Sequence, residues 1–385
     1  GLDDTRAAGR GDPHLEGAGG SGGGASWSIA PHAAPMTAAS LGGPLMPAQR
    51  LVPVYFDGDD AAFTARIDAF LSALVTSRYY ADAAGAYGIG APSLAPAAHG
   101  GAAPASIDDA DVASWVASNI ASGALPPRTD ETVYVLFYPA ATTVTLWGMT
   151  SCVGFGGYHL SADLGDGTRA VYAVVPRCAD DSGAPSLDEL TVSTTHELFE
   201  AATDPFDANP AYTVTDNAHS YWGSILGAEV GDLCDLSPDG AATFPDLPYR
   251  VQRIYSNASA LAGHDPCVPI PDGQVYFNAS PDPQDDLGGE EGLLVPVGGS
   301  ATIAVDLFSD GPIDAWQVKA FDVRELMGQP PHLAFAFDRD TGENGDHLEL
   351  TITTTDTAPG EVETYVLYSV KDGRANPWVG VVETE

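Results

Sequence analysis

Basic side chains are scarce in this chain. Its 385 residues contain 15 lysines and arginines against 53 aspartates and glutamates, which gives a formal charge of -38 at pH 7. Proteins that bind nucleic acid or anionic membranes present clustered lysine and arginine to the phosphates. The composition therefore argues against both partners. It favours an acidic protein that is secreted into a salty habitat.

Long apolar runs are missing as well. No run approaches the roughly 20 apolar residues that cross a bilayer as a helix, so we expect no transmembrane segment. The first residues also lack the charged and apolar parts of a signal peptide, and we expect any such peptide to have been removed already. With 44% apolar residues the chain can fill a core, and its length favours two folded units.

The four cysteines include no pair spaced as CxxC, the pattern of many structural zinc sites. We therefore disfavour a four-cysteine zinc site and predict disulfides, which place the protein outside the cytoplasm. An even count of four leaves three possible connectivities. Pairing in sequence order would clip the two loops that flank the central helix described next. The residues are Cys152, Cys178, Cys234 and Cys267.

Residues 186–205, SLDELTVSTTHELFEAATDP, form the stretch around which the chain is organised. Ser186 and Glu189 have capping-box spacing, which predicts the start of a helix, and Pro205 predicts its end near Thr203. A step of about 100° per residue places leucine and alanine on one side of this helix. The other side carries His196, Glu197, Glu200 and Asp204.

This polar side resembles the His-Glu-x-x-His motif of the zincin metallopeptidases, in which two histidines bind zinc and the intervening glutamate is the general base. His196 and Glu200 lie one turn apart and can reach one cation, and Glu197 would then be the catalytic base. Glu200 replaces the second histidine of the motif. A carboxylate is an accepted zinc ligand, but an oxygen-rich site also suits calcium, so Zn²⁺ is predicted and Ca²⁺ is the alternative.

Two further stretches offer ligands. The segment 228–235, AEVGDLCD, carries Glu229 and Asp232 at i and i+3. This pair resembles the later helix of thermolysin-like zincins, where a glutamate is the third ligand and an aspartate orients a ligand histidine. We therefore predict Glu229 as the third metal ligand. Asp232, Asp204 and the upstream His159 are predicted to support the site or to serve as alternative ligands.

A plainer interpretation stays open. Glu197, Glu200 and Asp204 could form an ordinary solvated helix face, with His196 paired to a neighbouring carboxylate, because five-residue patterns of this kind are common by chance. The position of the imidazole relative to these carboxylates separates the two interpretations.

The remaining patterns predict three parts. Residues 1–46, rich in glycine and alanine, are predicted to be a flexible N-terminal segment. Residues 47–269 alternate apolar strands with amphipathic helices, which predicts an α/β or α+β zincin-like domain with one sheet supporting the site helix. Residues 270–385 follow a proline and glycine linker and show short alternating runs between turns, which predicts an all-β sandwich.

Individual elements follow from the same patterns. Besides the site helix, helices are expected over 61–75 and 107–122. The run 133–138 is continuously apolar, which predicts a strand covered on both faces. Further strands are expected at 51–56, 171–175, 249–257, 274–277, 293–297, 301–308, 316–323, 332–337, 347–354, 363–369 and 378–383.

The motifs VPVYFDG, SRYY, LFYP, SCVGFGGYH, HELFEAATDP, AEVGDLC and VQRIYSN, in this order, resemble a group of secreted bacterial proteins of unassigned activity. That group is distantly similar to the plant exordium, or phosphate-induced, proteins. The resemblance covers about residues 47–269 and implies a secreted, disulfide-stabilised domain with a zincin-like helix. The closing pattern LELTITTTDTAPGEVETYVLYSV resembles the last strands of bacterial Ig-like modules and implies a spacer or adhesion domain.

Two functions follow from these observations. The first is a secreted zinc metallopeptidase, a metal-dependent hydrolase that acts on a protein or peptide substrate. The second is a non-catalytic surface or matrix protein in which the same acids hold a structural calcium ion. No GxSxG elbow surrounds the serines near the histidines, which argues against a serine hydrolase.

Overall fold

A computed structural model describes residues 27–180, 182–206, 208–213, 217–226 and 229–385. We refer to residues 47–269 as the α/β region and to residues 270–385 as the β-sandwich region. Up to residue 269 the strands are β1 (Ala39–Ser40), β2 (Arg50–Asp57), β3 (Ser93–Leu94), β4 (Ala98–Ala102), β5 (Ser106–Asp108), β6 (Thr132–Tyr138), β7 (Thr143–Leu146), β8 (Met149–Thr150), β9 (Tyr158–Asp163), β10 (Arg169–Pro176), β11 (Tyr212–Thr213), β12 (Ala241–Phe244), β13 (Leu247–Gln252), β14 (Ile254–Tyr255) and β15 (Cys267–Val268). The helices there are α1 (Ala61–Leu74), α2 (Tyr79–Ala84), α3 (Asp109–Ser122), α4 (Leu187–Thr203), α5 (Tyr221–Leu226) and α6 (Asn257–Leu261).

Parallel strands form the centre of the α/β region. The main sheet has the order β3-β2-β6-β10-β9, and β4 also pairs with β2. Strands β2, β6 and β10 run parallel, whereas β9 runs antiparallel to β10 at the edge. Every residue of β6 is buried, which confirms the prediction of a strand covered on both faces. The region is therefore mixed α/β.

Alternate residues of the main sheet face two different helix layers. Val133 and Val135 share an apolar cluster with residues of α1 and α4, whereas Tyr134 and Leu136 share another cluster with residues of α3. This division follows from the two-residue period of a strand. The predicted helices over 61–75 and 107–122 are confirmed as α1 and α3, with ends that differ by a residue or two.

Helix α4 begins where the sequence predicts. The hydroxyl of Ser186 accepts a hydrogen bond from the backbone N–H of Glu189, which satisfies one of the donors left open in the first turn. The helix lies between the main sheet and the β12-β13 hairpin, because Thr195 Oγ1 accepts a 3.0 Å hydrogen bond from Gln252 N and Leu198 O accepts one of 2.8 Å from Gln49 Nε2. Contacts on both sides therefore fix the position of α4.

The β-sandwich region consists of two sheets. Their orders are β16-β19-β23-β21 and β17-β18-β25-β24-β20-β22, and apolar residues on the facing surfaces, such as Leu307 and Val379, share one core. The elements are β16 (Phe277–Pro281), β17 (Asp285–Asp286), β18 (Glu291–Val295), β19 (Ser300–Ser309), β20 (Trp316–Asp322), α7 (Val323–Leu326), β21 (Leu333–Phe337), β22 (Thr341–Gly342), β23 (His347–Thr354), β24 (Val362–Lys371) and β25 (Arg374–Thr384).

Two predicted strands are placed incorrectly. The strand expected over 249–257 is divided into β13 and β14, and α6 follows because Ser256 caps its first turn. The strand expected over 274–277 instead covers Phe277–Pro281. The alternation of polar and apolar residues did not reveal this strand, because the polar Asn278 is itself buried and donates to Tyr276 Oη and Pro377 O.

The prediction of a flexible segment over 1–46 is wrong for residues 27–46, and residues 1–26 lie outside the described part. Met36 and Met46 are each 1% exposed. Met36 O accepts a 2.6 Å hydrogen bond from Tyr255 of the α/β region, while Ala33 N donates to Ser280 of the β-sandwich region at 3.0 Å. Composition misled here because glycine and alanine leave the backbone free to pack closely against a neighbouring surface.

One apolar core runs through both regions. Trp222 and Trp378 pack edge to face with ring centres 6.4 Å apart. The hydroxyl of Tyr368 donates to Leu236 O at 3.2 Å across the same contact. The predicted boundary at residue 269 stays a prediction, because packing is continuous across it.

Candidate metal centre

Side chains from three segments of the α/β region meet beside α4. The helix supplies three of them, the edge strand β9 supplies one, and the loop that leads into and out of a 3₁₀ turn, Asp232–Cys234, supplies the rest. We call the whole set the α4 cluster: His159, His196, Glu197, Glu200, Glu229, Asp232 and Asp235.

The imidazole of His196 lies beside two carboxylates. Its Nε2 is 2.9 Å from Glu200 Oε1 and 3.5 Å from Asp232 Oδ1. Glu200 Oε1 is buried and accepts no hydrogen bond from the described part of the chain. The nitrogen and the oxygen are therefore close enough to bind one cation but are not aligned to bond each other.

The imidazole of His159 approaches the same carboxylate from the other side. Its Nε2 lies 2.9 Å from the backbone oxygen of Asp204. Because a carbonyl oxygen only accepts, Nε2 carries the proton. Its Nδ1 faces Glu197 Oε2 at 3.5 Å and Glu200 Oε2 at 3.7 Å. A backbone carbonyl that holds one ring nitrogen is a common way to orient a metal-binding histidine, so His159 presents Nδ1 to the cluster.

The charges of the α4 cluster are strongly coupled. Burial raises the pKa of Glu229 to about 8, and the charge of Glu200 adds to this rise. Burial alone lowers the pKa of a histidine, but here Glu197 and Glu229 outweigh it and raise the pKa of His159 to about 10. Burial opposes protonation of His196 too, yet Glu200 and its neighbours hold that pKa well above the ordinary value. The cluster therefore attracts positive charge, as protons or as a cation.

The alternative of a solvated helix face is wrong. Glu197 and Glu200 expose only 4% and 3% of their surfaces. An uncompensated buried carboxylate is costly, so such residues need hydrogen bonds, counter-charges or a bound ion. The burial of these two acids distinguishes the cluster from a chance arrangement of surface residues.

Two glycines allow the loops to approach the cluster. A Cβ atom at Gly231 would lie 2.6 Å from Glu200 Oε1, and one at Gly157 would lie 2.9 Å from Glu197 Oε1. Real Cβ atoms essentially never come this close to an oxygen. A side chain at either position would therefore displace the carboxylate or the loop, and glycine allows the backbone to come this close.

A cleft of about 350 Å³ opens beside the cluster. The glycine-rich loop at residues 154–157 forms one wall, and α4 forms another with Val192, Ser193, His196 and Glu197. Asp232, Asp235 and Gln252 complete the lining. Gln252 Nε2 donates to Asp235 Oδ1 at 2.9 Å, which fixes that carboxylate at the opening.

Both disulfides hold loops of this site. Cys152 pairs with Cys178, and Cys234 pairs with Cys267, so the connectivity is the sequential one among the three that the sequence left open. Cys152 precedes the glycine-rich wall of the cleft, and Cys234 ends the turn that begins with Asp232. Disulfides of this kind form in oxidising compartments, which is compatible with an extracellular protein.

The structure places the predicted site residues together but changes their roles. Asp232 lies beside His196, whereas Glu229 Oε1 lies 3.5 Å from His159 Nε2. The geometry therefore favours Asp232 over Glu229 as the partner of His196. The pair lies on a loop and at the start of a 3₁₀ turn. Asp204 contributes its backbone oxygen to His159.

Sequence reasoning did not select Asp235, although it stands in the acidic segment 228–235. Only the fold of the loop brings its carboxylate close to His196. Gly157 and Gly231 were also missed. Gly231 directly precedes Asp232, and Gly157 lies two residues before His159. This closeness was the available clue, because a glycine near a candidate ligand can mark a close backbone approach.

A second histidine and acid group lies in the β-sandwich region. His332 Nδ1 is 2.5 Å from Glu363 Oε1 and 3.9 Å from Glu361 Oε1. We call these three residues the sandwich cluster. The contact between His332 and Glu363 is a hydrogen bond, so the two strongest partners satisfy each other.

Comparison with known proteins gives no family. No protein-family model matches the chain, and no curated protein matches it. Among solved structures, the titin M3 domain is 17% identical over 24% of this chain and 88% of that chain, with a TM-score of 0.17. A FixG-related protein from Vibrio parahaemolyticus is 8% identical over 29% of this chain and 96% of that chain, with a TM-score of 0.20. With TM-scores this low, neither likeness bears on the fold or the function of this chain.

Among the described residues, no helix combines the length and the apolar character that crossing a bilayer requires.

Proposed function

We propose that the chain is a secreted metal-dependent hydrolase, a zinc peptidase with its metal in the α4 cluster. The observation that carries this proposal is the buried Glu200 Oε1, which accepts no hydrogen bond while His196 Nε2 lies 2.9 Å away. Leaving a carboxylate oxygen in this state costs about 1–3 kcal/mol or more. A shared cation removes that cost.

The donor set fits zinc. His196 supplies one nitrogen, and Glu200 and Asp232 supply one oxygen each, which are ligand types that zinc accepts. When bound, the ion supplies a Lewis acid that polarises a substrate carbonyl. Two anionic ligands weaken this Lewis acid compared with a two-histidine site, so the hydrolase is expected to be slower than one with neutral ligands.

Glu197 is the proton carrier in this proposal. It lines the cleft. Its Oε1 lies close to the backbone of Gly157, where a side chain would collide with it. A water molecule in the cleft loses its proton to this carboxylate as it attacks the carbonyl. Glu197 then gives the proton to the leaving amine. The carbon–nitrogen bond of the peptide breaks, and the oxygen of the water molecule stays on the carbonyl carbon as part of the new carboxyl group.

The edge strand β9 supports a peptide as substrate. In the described part of the chain β9 pairs with β10 on one side and ends the main sheet on the other. An exposed strand edge can pair with an extended peptide through backbone hydrogen bonds. His159 lies near the start of β9, so a peptide along this edge would reach the α4 cluster.

We extend the proposal to the classification of the two regions. The α/β region would be zincin-like and related to the secreted bacterial proteins whose motifs it resembles. The β-sandwich region would be an Ig-like spacer or adhesion module. The position of the motif on a buried helix beside a mixed sheet supports the first part, and the two packed sheets support the second.

Metal analysis and a proteolysis assay test the function. Purified protein should contain zinc and cleave an unfolded protein such as casein, and chelation should stop the cleavage. Glu197→Gln should lower the rate by about 10²- to 10⁴-fold, the usual contribution of a general base, while the zinc ion between His196 and Glu200 stays bound. Glu189→Gln is the matched control, because Glu189 is exposed on the first turn of the same helix. Equal rates for the two variants would contradict the proposal.

A structural calcium site is the second candidate. Five carboxylates in the cluster favour it, because Ca²⁺ takes six to eight oxygen ligands. Purified protein that contains calcium, melts at a lower temperature after chelation and cleaves no protein would support a surface or matrix scaffold. Zinc together with cleavage would exclude it.

A further inference from the structure

Glu200 directs its two oxygens at two different histidines. Oε1 lies 2.9 Å from His196 Nε2, and Oε2 lies 3.7 Å from His159 Nδ1. We infer that the α4 cluster binds two divalent metal ions bridged by Glu200, which deepens the proposed function and rests on its metal site. A carboxylate between two ions commonly spans a separation of about 3.5–4 Å in two-metal hydrolases.

The first of these sites, the outer site, lies at the cleft. His196, Asp232 and Asp235 each offer a ligand atom within 4.8 Å of the others, and all three line the cleft. Glu200 Oε1, 2.9 Å from His196 Nε2, can join this set. Substrate can reach an ion here directly, so the outer site is the one that serves hydrolysis.

The second site, the inner site, lies behind the first. His159, Glu197 and Glu200 likewise offer ligand atoms within 4.8 Å of one another. The side chain of His159 is 7% exposed, and those of Glu197 and Glu200 are 6% and 4% exposed. Because Nε2 of His159 donates to a backbone carbonyl, its Nδ1 is the nitrogen available to the inner ion. Glu197 can bind through Oε2 and keep Oε1 for the proton transfer proposed above.

The charge of the cluster favours two ions over one. Once metal has displaced the bound protons, its five carboxylates carry five negative charges and its two imidazoles are neutral. One divalent ion then leaves three of these charges uncompensated. Two divalent ions leave one negative charge uncompensated. Asp235 is exposed at the cleft, so water can solvate this remaining charge. Buried uncompensated charge is costly, and neither Gly157 nor Gly231, whose backbones come close to the carboxylates, has a side chain that could supply a counter-charge.

Each site combines one imidazole with carboxylates, a ligand set that suits Mn²⁺ as well as Zn²⁺. This makes Mn²⁺ a suitable probe. Metal-stripped protein is titrated with Mn²⁺, the bound ions are counted by equilibrium dialysis, and electron paramagnetic resonance is recorded. We expect two ions per chain and a spectrum of two coupled Mn²⁺ ions.

Two variants locate the ions. Asp235→Asn should weaken the outer site at least 10-fold, and His159→Gln should do the same to the inner site, so that each variant binds one ion at the concentration that fills both in the original protein and shows no coupling. Asp235 is exposed, which protects the experiment against misfolding if the buried His159 does not tolerate change. His332→Gln, in the sandwich cluster, should keep two coupled ions.

One ion per chain overturns the two-ion inference, as does a second ion that disappears in His332→Gln or that shows no coupling to the first. These outcomes are separable from failure of the proposed function. A one-ion protein that cleaves casein contradicts only the inner site, and a two-ion protein that cleaves nothing contradicts only the hydrolase.

Discussion

The α4 cluster and the sandwich cluster both combine histidine with carboxylates but differ in how these groups are satisfied. In the sandwich cluster one histidine meets one close glutamate in a hydrogen bond, and Glu361 keeps 37% of its side chain exposed. In the α4 cluster the acids outnumber the imidazoles, and the buried Glu200 Oε1 accepts no hydrogen bond among the described residues. The first group is complete without an ion, and the second is not.

This difference shows why proximity of ligand types is a weak criterion for a metal site. A hydrogen bond between a histidine and a glutamate already satisfies both groups. A surplus of buried carboxylates has no such balance and draws in protons or metal ions. The comparison therefore predicts that changes at the α4 cluster alter metal binding and that changes at the sandwich cluster do not.

The largest effect is expected for Gly231→Ala. The new Cβ atom would meet Glu200 Oε1 at 2.6 Å, so either the carboxylate or the loop must move. We expect metal affinity to fall about 10- to 100-fold, as for loss of groups that orient a ligand, and the free energy of unfolding to fall by about 1–3 kcal/mol through overpacking. Isothermal titration calorimetry and chemical denaturation measure the two changes.

Gly85→Ala is the control for this substitution, because a Cβ atom at Gly85 meets no atom within 4 Å. It should leave metal affinity unchanged. If Gly231→Ala binds metal as the original protein does, Glu200 is not a ligand and the distinction between the two clusters fails.

The next effect concerns pH in metal-stripped protein. Burial raises the pKa of Glu229 from 4.5 to about 8, so its stabilising contribution is complete below 4.5 and is lost as pH rises toward 8. The carboxylates around His159 outweigh burial and raise its pKa from 6.5 to about 10, so its contribution is lost between those values. Both changes lower the stability of the metal-free protein as pH rises from 6.5 to 8.

Bound metal should reverse this slope, because the ligands must lose their protons to bind it and metal affinity therefore rises with pH. Melting temperatures at pH 6.5 and 8, with chelator and with saturating zinc, measure both slopes. Glu229→Gln should flatten the slope in chelator. Identical slopes with and without metal would show that the α4 cluster, like the sandwich cluster, is satisfied by its own side chains without an ion.

The smallest effect on metal binding is expected for His332→Gln. The variant loses the hydrogen bond between the imidazole and the Glu363 carboxylate, which costs about 1.5–3 kcal/mol of unfolding free energy. The number of bound ions and their affinity should stay unchanged, as measured by equilibrium dialysis. A lost ion would place a metal site in the sandwich cluster and remove the contrast between the two groups.

Local sequence patterns were sufficient to predict the main elements of the α/β region, such as α4 and β6. The cap at Ser186 and the proline after Asp204 defined α4, and the continuous apolar run of β6 indicated a covered parallel strand. The predicted β-strands failed where polar residues are buried, as at Asn278 in β16. The glycine and alanine segment failed because composition does not show whether a neighbouring surface is available for packing.

The candidate site was only partly accessible to such reasoning. His196, Glu197 and Glu200 stand on one helix, so their common direction follows from the helical period. The helical period could not show which of Glu229 and Asp232 lies beside His196 and which lies beside His159. The segment that carries them forms a loop, and a loop has no fixed period.

The sequence by itself determined the helix that carries His196, Glu197 and Glu200, since caps and periodicity act over a few neighbouring residues. It also determined the acidic composition. The tertiary structure alone decided that His159 from an edge strand and Asp235 from a loop join them, that the two glutamates are buried, and which cysteines pair. These outcomes depend on the packing of distant segments against one another, and no local rule of spacing encodes that packing.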